Sequence, residues 1–177
     1  MRRSEQRRAA VIALYQHDLT ARPLSETLDA KATPLTRSLA HAGADRALEL
    51  DELIERHAHG WTAARIAPLE RSILRVALVE ILHPDAVEAL RPIPPEGAID
   101  EAVESAKVFC GADAPGFVNG ILDAILREVR AAAPPSSPPT SMTSPDARST
   151  TRCRRGPARS RGRWRAPRST RRRTSTS

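Results

Sequence analysis

The chain has 177 residues, a formal net charge of +7, 40% hydrophobic and 3% aromatic residues, and only two cysteines. Cys110 and Cys153 are too few for a disulfide framework or a thiolate metal cluster, and both are expected to be free thiols. No apolar run reaches the roughly 18 residues that span a bilayer, and the N-terminus lacks the apolar core of a signal peptide, so a cytoplasmic protein with no membrane partner is expected.

The basic character sits in one place. Residues 1–133 hold 16 Lys and Arg against 20 Asp and Glu, whereas residues 134–177 hold 12 Arg against the single Asp146. From Pro134 onward the chain is rich in Pro, Ser, Thr and Arg, with Met142 and Trp164 its only large apolar residues. Such a segment cannot bury enough to offset chain entropy, which predicts a disordered tail over 134–177. Its composition fits either an RNA-gripping extension or coding sequence read in a shifted frame. Residues 1–133 are left as one compact domain.

Within that domain every pattern is helical. A first helix is predicted over about Ser4–Thr20, with Val11, Leu14, Tyr15 and Leu19 on one stripe and Pro23 ending it. A short helix follows over about Leu24–Lys31. From Pro34 to about His59 an amphipathic stretch carries Leu35, Leu39, Ala42, Leu50, Leu53 and Ile54, with Gly43 a candidate kink and Gly60 a stop. The helix over about Leu69–Leu82 is apolar on nearly every side and belongs at the centre of a bundle. After the Pro92-Ile93-Pro94-Pro95 turn, a helix over about Glu96–Phe109 turns Ile99, Ala102, Val103 and Ala106 inward. Asp113 or Ala114 caps the last helix, with Pro115 in its first turn and an apolar set of Phe117, Ile121, Leu122, Ile125, Leu126 and Val129. The expected architecture is an all-α domain of about six or seven helices, two small bundles sharing the central apolar helix.

Catalytic constellations are lacking. His57 and His59 are two apart and diverge on a helix, which suits solvent exposure rather than a shared metal. His17, His41 and His83 have no ligand partner at metal spacing, and Cys110 has no histidine in local sequence that would make it a nucleophile. Neither a phosphate loop of the Gly-x-x-x-x-Gly-Lys kind nor a Gly-x-Gly-x-x-Gly turn occurs. Glu101, Glu104 and Lys107 read as a charged outer face with a weak Glu104–Lys107 pair. No enzyme activity, cofactor or metal is expected.

Binding features are more telling. Asn119 and Gly120 are poor helix formers in the first turns of an otherwise good helix, so either a ligand approaches closely there or a neighbouring helix does. At the other end of the chain, Arg3, Arg7 and Arg8 lie on the broad side of the first helix that holds Val11, Leu14 and Tyr15, which suggests that the helix projects an arginine end past its core. Cations at a helix N-terminus oppose the macrodipole by roughly 0.3 to 1 kcal/mol each, and a nearby anion would reverse that sign. The alternative is a solvated basic helix start. Tyr15 and Phe117 are the candidates to stack on bases, although core packing explains each on period alone.

Four segments carry a family resemblance: Arg7 to Gln16, Leu69 to Leu82, Ile99 to Lys107, and Phe117 to Asp123. The Phe-Val-Asn-Gly-x-Leu-Asp element, following Glu-Ala-x-Glu-x-Ala-Lys, is the more specific part. In order and spacing over about residues 3–130 the chain resembles the NusB family of transcription antitermination factors. It departs from that family in having Asp100 where Asn is usual, Val79 where Tyr is frequent, and a tail without counterpart.

The resemblance implies an RNA-binding adaptor that pairs with NusE, a small-subunit ribosomal protein, to hold the single-stranded boxA element of ribosomal RNA leader transcripts. The captured RNA would help the RNA polymerase elongation complex resist termination. By the same resemblance, Arg3, Arg7, Arg8, Tyr15, Gln16, Lys107, Phe117, Asn119 and Gly120 are implied to face RNA, and Glu70, Glu80 and Asp113 to face the protein partner. Two alternatives stand beside it: a NusB-like protein-interaction module without an RNA role, and the detached NusB-like domain of a ribosomal RNA cytosine methyltransferase. Oligomeric state stays open between a monomer and a homodimer that hides the arginines.

Overall fold

The structure is a computed structural model of the chain and describes residues 1–132 apart from positions 59, 61 and 90, so the expected tail lies outside the described residues. Among the described residues seven α-helices follow one another: α1 (Arg3–Thr20), α2 (Leu24–Thr27), α3 (Pro34–Asp45), α4 (Ala47–His57), α5 (Pro68–Leu82), α6 (Pro95–Phe109) and α7 (Ala114–Ala132), with short 3-10 turns at Ala63–Arg65 and Pro84–Ala86. No strand occurs among the described residues. The all-α expectation holds.

Proline sets several helix starts. Pro34, Pro68 and Pro95 each occupy the first helical position of α3, α5 and α6, where the missing N–H has no intrahelical acceptor to lose and φ is already helical. At α3 the preceding Thr33 adds a side-chain cap, its hydroxyl accepting the Thr36 N–H at 3.3 Å. That hydroxyl also donates to Gln6 Oε1 at 2.8 Å, which joins the start of α3 to α1.

Three expectations are revised. The stretch from Pro34 is two helices broken at Arg46, not one kinked at Gly43. Gly43 serves a different purpose: a Cβ there would stand 2.8 Å from Leu14 Cδ1, so glycine lets α3 lie close against α1. The second helix is a single turn, because Leu28 returns to extended backbone at φ −82° and ψ 134° while still burying its side chain. Leu19 does not extend the α1 stripe; it is 61% exposed, since the last turn of α1 overruns the core made by Ala10, Val11, Ala13 and Leu14.

The expected central helix is α5, whose residues Ser72 to Glu80 are all buried. It packs on α1 and α3 to one side and on α6 and α7 to the other, with α4 touching both it and α7. Two bundles thus share α5. Ridges of Leu, Ile and Val supply most of the cohesion, at roughly 1.5–3 kcal/mol for each large side chain fully removed from water.

Two charged side chains within that buried run are kept there by partners. Arg75 forks onto Asp51 at 2.8 and 2.6 Å and reaches Asp18 at 2.8 Å, while Arg71 meets the same Asp18 carboxylate at 3.2 Å. This cluster ties α1, α4 and α5 together. Burial alone would lower the Arg75 pKa, but hydrogen bonds and charge from Asp51, with Asp18 behind, outweigh it and raise it further. The second charge, Glu80, belongs to the site.

Candidate nucleic-acid interface

The arginines at the start of α1 have three different fates. Arg3 is exposed and donates to the Arg91 carbonyl at 3.3 Å. Arg7 is turned inward, its Nε and Nη2 donating to Glu80 Oε2 and Oε1 at 2.8 and 2.9 Å. The two side chains are only 6% and 4% exposed. Arg8 is half-buried, and its Nε is sealed from solvent without an acceptor.

The Arg7–Glu80 pair corrects two expectations at once. Arg7, read as an RNA contact, and Glu80, read as a partner contact, are occupied with each other inside the fold. The cause is the helical period: Arg7 stands one turn before Val11 and two before Leu14, and α5 and α6 cover that stripe as far as residue 7. Burial opposes the Arg7 charge, but the Glu80 hydrogen bonds and charge, with Glu101 beyond, prevail and raise its pKa.

Arg8 and Gln16 share a groove of about 440 Å³ between α1 and the loop after α2. Lys31 from that loop and Phe109 at the end of α6 complete its walls; neither was singled out from the sequence. Lys107 is exposed and meets Glu104 at 2.6 Å. The Lys107 hydrogen bond and charge, and more weakly the Arg8 charge, hold the Glu104 carboxyl below the usual carboxylate range.

Asn119 and Gly120 are exposed on α7, opposite the buried Val118, Ile121 and Leu122. A Cβ on Gly120 would meet nothing within 4 Å, and the same is true of exposed Gly116. Tight packing by a neighbouring helix therefore does not explain the glycine among the described residues. Tyr15, on α1, is half-buried.

Phe117 falls with a different set. It lines a hollow of about 450 Å³ together with Arg65, Ile66, Glu70 and Asp113, so the structure joins one residue read as an RNA contact to two read as partner contacts. Asp113 is exposed at the entry to α7, its carbonyl accepting the Phe117 N–H at 3.2 Å. Burial pushes the Glu70 carboxyl above its ordinary pKa, and burial followed by the Glu70 charge does the same to the Cys110 thiol.

The Glu70 shift has a pH consequence. A carboxyl with a folded pKa above its unfolded value binds more protons when folded, so its contribution is fully present below the unfolded pKa, near 4.3, and is lost as pH rises through the folded one. Glu70→Gln is expected to raise the melting temperature at pH 7 relative to wild type, and the gain should vanish on acidification below about pH 4. Melting curves across that range check it.

His57 is not the solvent-facing residue expected; it is held between the Leu53 carbonyl and Glu128. Position 59 lies outside the described residues. Among the described residues no group of three His, Cys, Asp or Glu is placed to hold a metal ion, and no helix is long and apolar enough to cross a membrane.

A family profile described as the NusB family matches residues 4–127, the whole helical domain but its last turn. The chain belongs to the NusB family. Its members are RNA-binding transcription antitermination factors without catalytic activity, and at that level this chain is a NusB-like antitermination factor. NusB of T. maritima is similar at 33% identity over 72% of this chain and 92% of that one, with a TM-score of 0.62. The solution structure of NusB from Aquifex aeolicus shares 25% identity over 80% and 99% of the two chains, at a TM-score of 0.60. A crystal structure of antitermination factors NusB and NusE in complex with dsRNA contains a chain of the same fold, at 24% identity over 72% and 99%, TM-score 0.59.

Proposed function

We propose that the protein binds boxA-type single-stranded RNA of ribosomal RNA leader transcripts jointly with NusE, and that the held RNA lets the elongating RNA polymerase resist termination. The observation carrying this reading is the Asn119–Gly120 face of α7. It is exposed and costs helix propensity, and among the described residues nothing stands within 4 Å of a Cβ on Gly120, within a chain of the NusB family. The shared fold with a chain of the solved complex of NusB and NusE with dsRNA supports NusE and RNA as partners; that the RNA is single-stranded and of boxA type is part of the proposal.

On this reading Arg3, Arg8, Gln16 and Lys107 contribute charge and hydrogen bonds to RNA, with Asn119 and Gly120 allowing close approach. Glu70 and Asp113, with Phe117 lining the same hollow, face NusE. Arg7 and Glu80 act from inside as a brace for α1. The 12 arginines beyond Pro134 add phosphate contacts without sequence preference, which steepens the salt dependence of binding.

Gly120→Ala separates this role from a structural one. Alanine in an exposed helix interior gains about 0.8–1 kcal/mol over glycine, so the melting temperature should rise. Affinity for boxA-type RNA in the presence of NusE should instead fall by about tenfold, the equivalent of about 1.4 kcal/mol, because the new methyl keeps the RNA away from α7. A more stable variant with unchanged RNA affinity would remove α7 from the interface.

A further inference from the structure

The groove beside α1 is better built than a solvated helix side requires. Its outer wall, the loop between α2 and α3, is pinned by one side chain: Arg37 donates to the carbonyls of Ala32 and Ala30 at 3.1 and 2.9 Å. The Lys31 N–H is held by Asp29 Oδ1 at 2.7 Å, which leaves the Lys31 side chain exposed. The facing wall brings Arg8 and the ring of Phe109, half-buried at the end of α6. At about 440 Å³ the groove falls within the roughly 300–1,000 Å³ of sites that enclose small ligands.

Its chemistry is one-sided. Two cations, Arg8 and Lys31, stand against one carboxylate, Asp29, already engaged by backbone. The orphaned Arg8 Nε–H is a buried donor without an acceptor, a state that costs free energy until the guanidinium turns toward an anion. An aromatic residue and two cations lining one groove suit a flat, anionic ligand, and every base offers a face for stacking whatever its sequence.

We propose that this groove seats one unstacked nucleotide of the bound RNA, its base against Phe109 and its phosphate between Arg8 and Lys31. The assignment rests on the RNA-binding reading above. It makes Phe109, rather than Tyr15 or Phe117, the stacking aromatic, and Lys31 a phosphate contact outside the arginine cluster. The rigid loop means that the pocket exists before RNA arrives, so little ordering opposes binding.

The test uses the full chain with NusE and boxA-type RNA, measuring equilibrium affinity over a salt series for wild type, Phe109→Leu and Lys31→Ala. Each nucleotide of the RNA is made abasic in turn. Phe109→Leu should weaken binding roughly 5- to 150-fold, the factor set by about 1–3 kcal/mol of stacking per base. One abasic position should weaken wild type by a similar factor and Phe109→Leu hardly further. Lys31→Ala, at an exposed position, should lower the magnitude of the log–log salt slope by about 0.7 without changing the melting temperature. If Phe109→Leu melts early, the Lys31→Ala and abasic series decide. Wild-type preference for boxA with both variants unimpaired would overturn the groove while leaving the RNA reading intact. No preference over scrambled RNA in wild type would overturn both. A wild-type dimer that Phe109→Leu converts to monomer would assign the groove to a second copy and overturn the nucleotide site.

Discussion

Arg7→Ala is expected to lower the unfolding free energy by about 3–5 kcal/mol, a large share of the roughly 5–15 kcal/mol that holds a domain folded. The size follows from what is left behind. Glu80 is 4% exposed on its side chain and takes both its hydrogen bonds from Arg7, so its carboxylate would remain buried without a donor from α1. For a domain of this length the melting temperature should fall by roughly 10–20 °C. The distance between breaking the pair and replacing it is itself informative. Arg7→Met combined with Glu80→Leu removes both charges and fills the space, and it should recover most of the loss, since apolar substitutes for buried ion pairs are often neutral or better. A drop under about 1 kcal/mol for Arg7→Ala, measured by denaturant unfolding, would mean that water reaches the pair and that Arg7 is free for RNA after all.

Arg75→Ala is the second large effect, expected near 3 kcal/mol. Here one guanidinium faces two carboxylates, so its removal strands Asp51 without its two short hydrogen bonds and leaves Asp18 only Arg71. Because α1, α4 and α5 all meet at this cluster, the loss should appear as a global fall in unfolding free energy rather than local fraying. Arg75→Lys keeps the charge but not the fork and should fall about midway between wild type and Arg75→Ala. Equal stability of Lys and Arg at this position would show that charge, not bidentate geometry, anchors the cluster.

Helix existence and the central place of α5 were readable because a continuous apolar run flanked by proline has few other solutions. The break at Arg46 was not, since both halves of the stretch after Pro34 keep an amphipathic period and the signal of the turn is tertiary. Gly43 drew attention for the wrong reason: a glycine in a helix marks either a bend or a close neighbour, and only the position of Leu14 decides. In the candidate site, the sequence marked Asn119 and Gly120 as poor helix formers but left a close ligand and a close helix equally open, and only the structure, with nothing within 4 Å of a Cβ on Gly120, decides against the helix. Arg7 misled because an arginine on the apolar stripe reads as projecting outward unless its counter-ion is known, and Glu80 is 73 residues away. One sequence clue did exist: Arg75 and Glu80 are charges inside an otherwise apolar helix, which predicts buried partners on facing helices. Lys31 and Phe109 carried no such clue, since the loop that sets them against Arg8 is defined by Arg37 and the backbone carbonyls it binds.

Joint recognition of RNA with a protein partner can be read from a two-by-two titration: the full chain against boxA-type and scrambled single-stranded RNA, each with and without NusE, at fixed physiological salt. NusE is expected to raise boxA affinity by at least about tenfold and scrambled affinity much less, and boxA RNA to raise NusE affinity by the same factor, as linkage requires. Equal affinity for the two RNAs, unchanged by NusE, would contradict it and leave a helical interaction module whose RNA binding is only the pull of its arginines on phosphate.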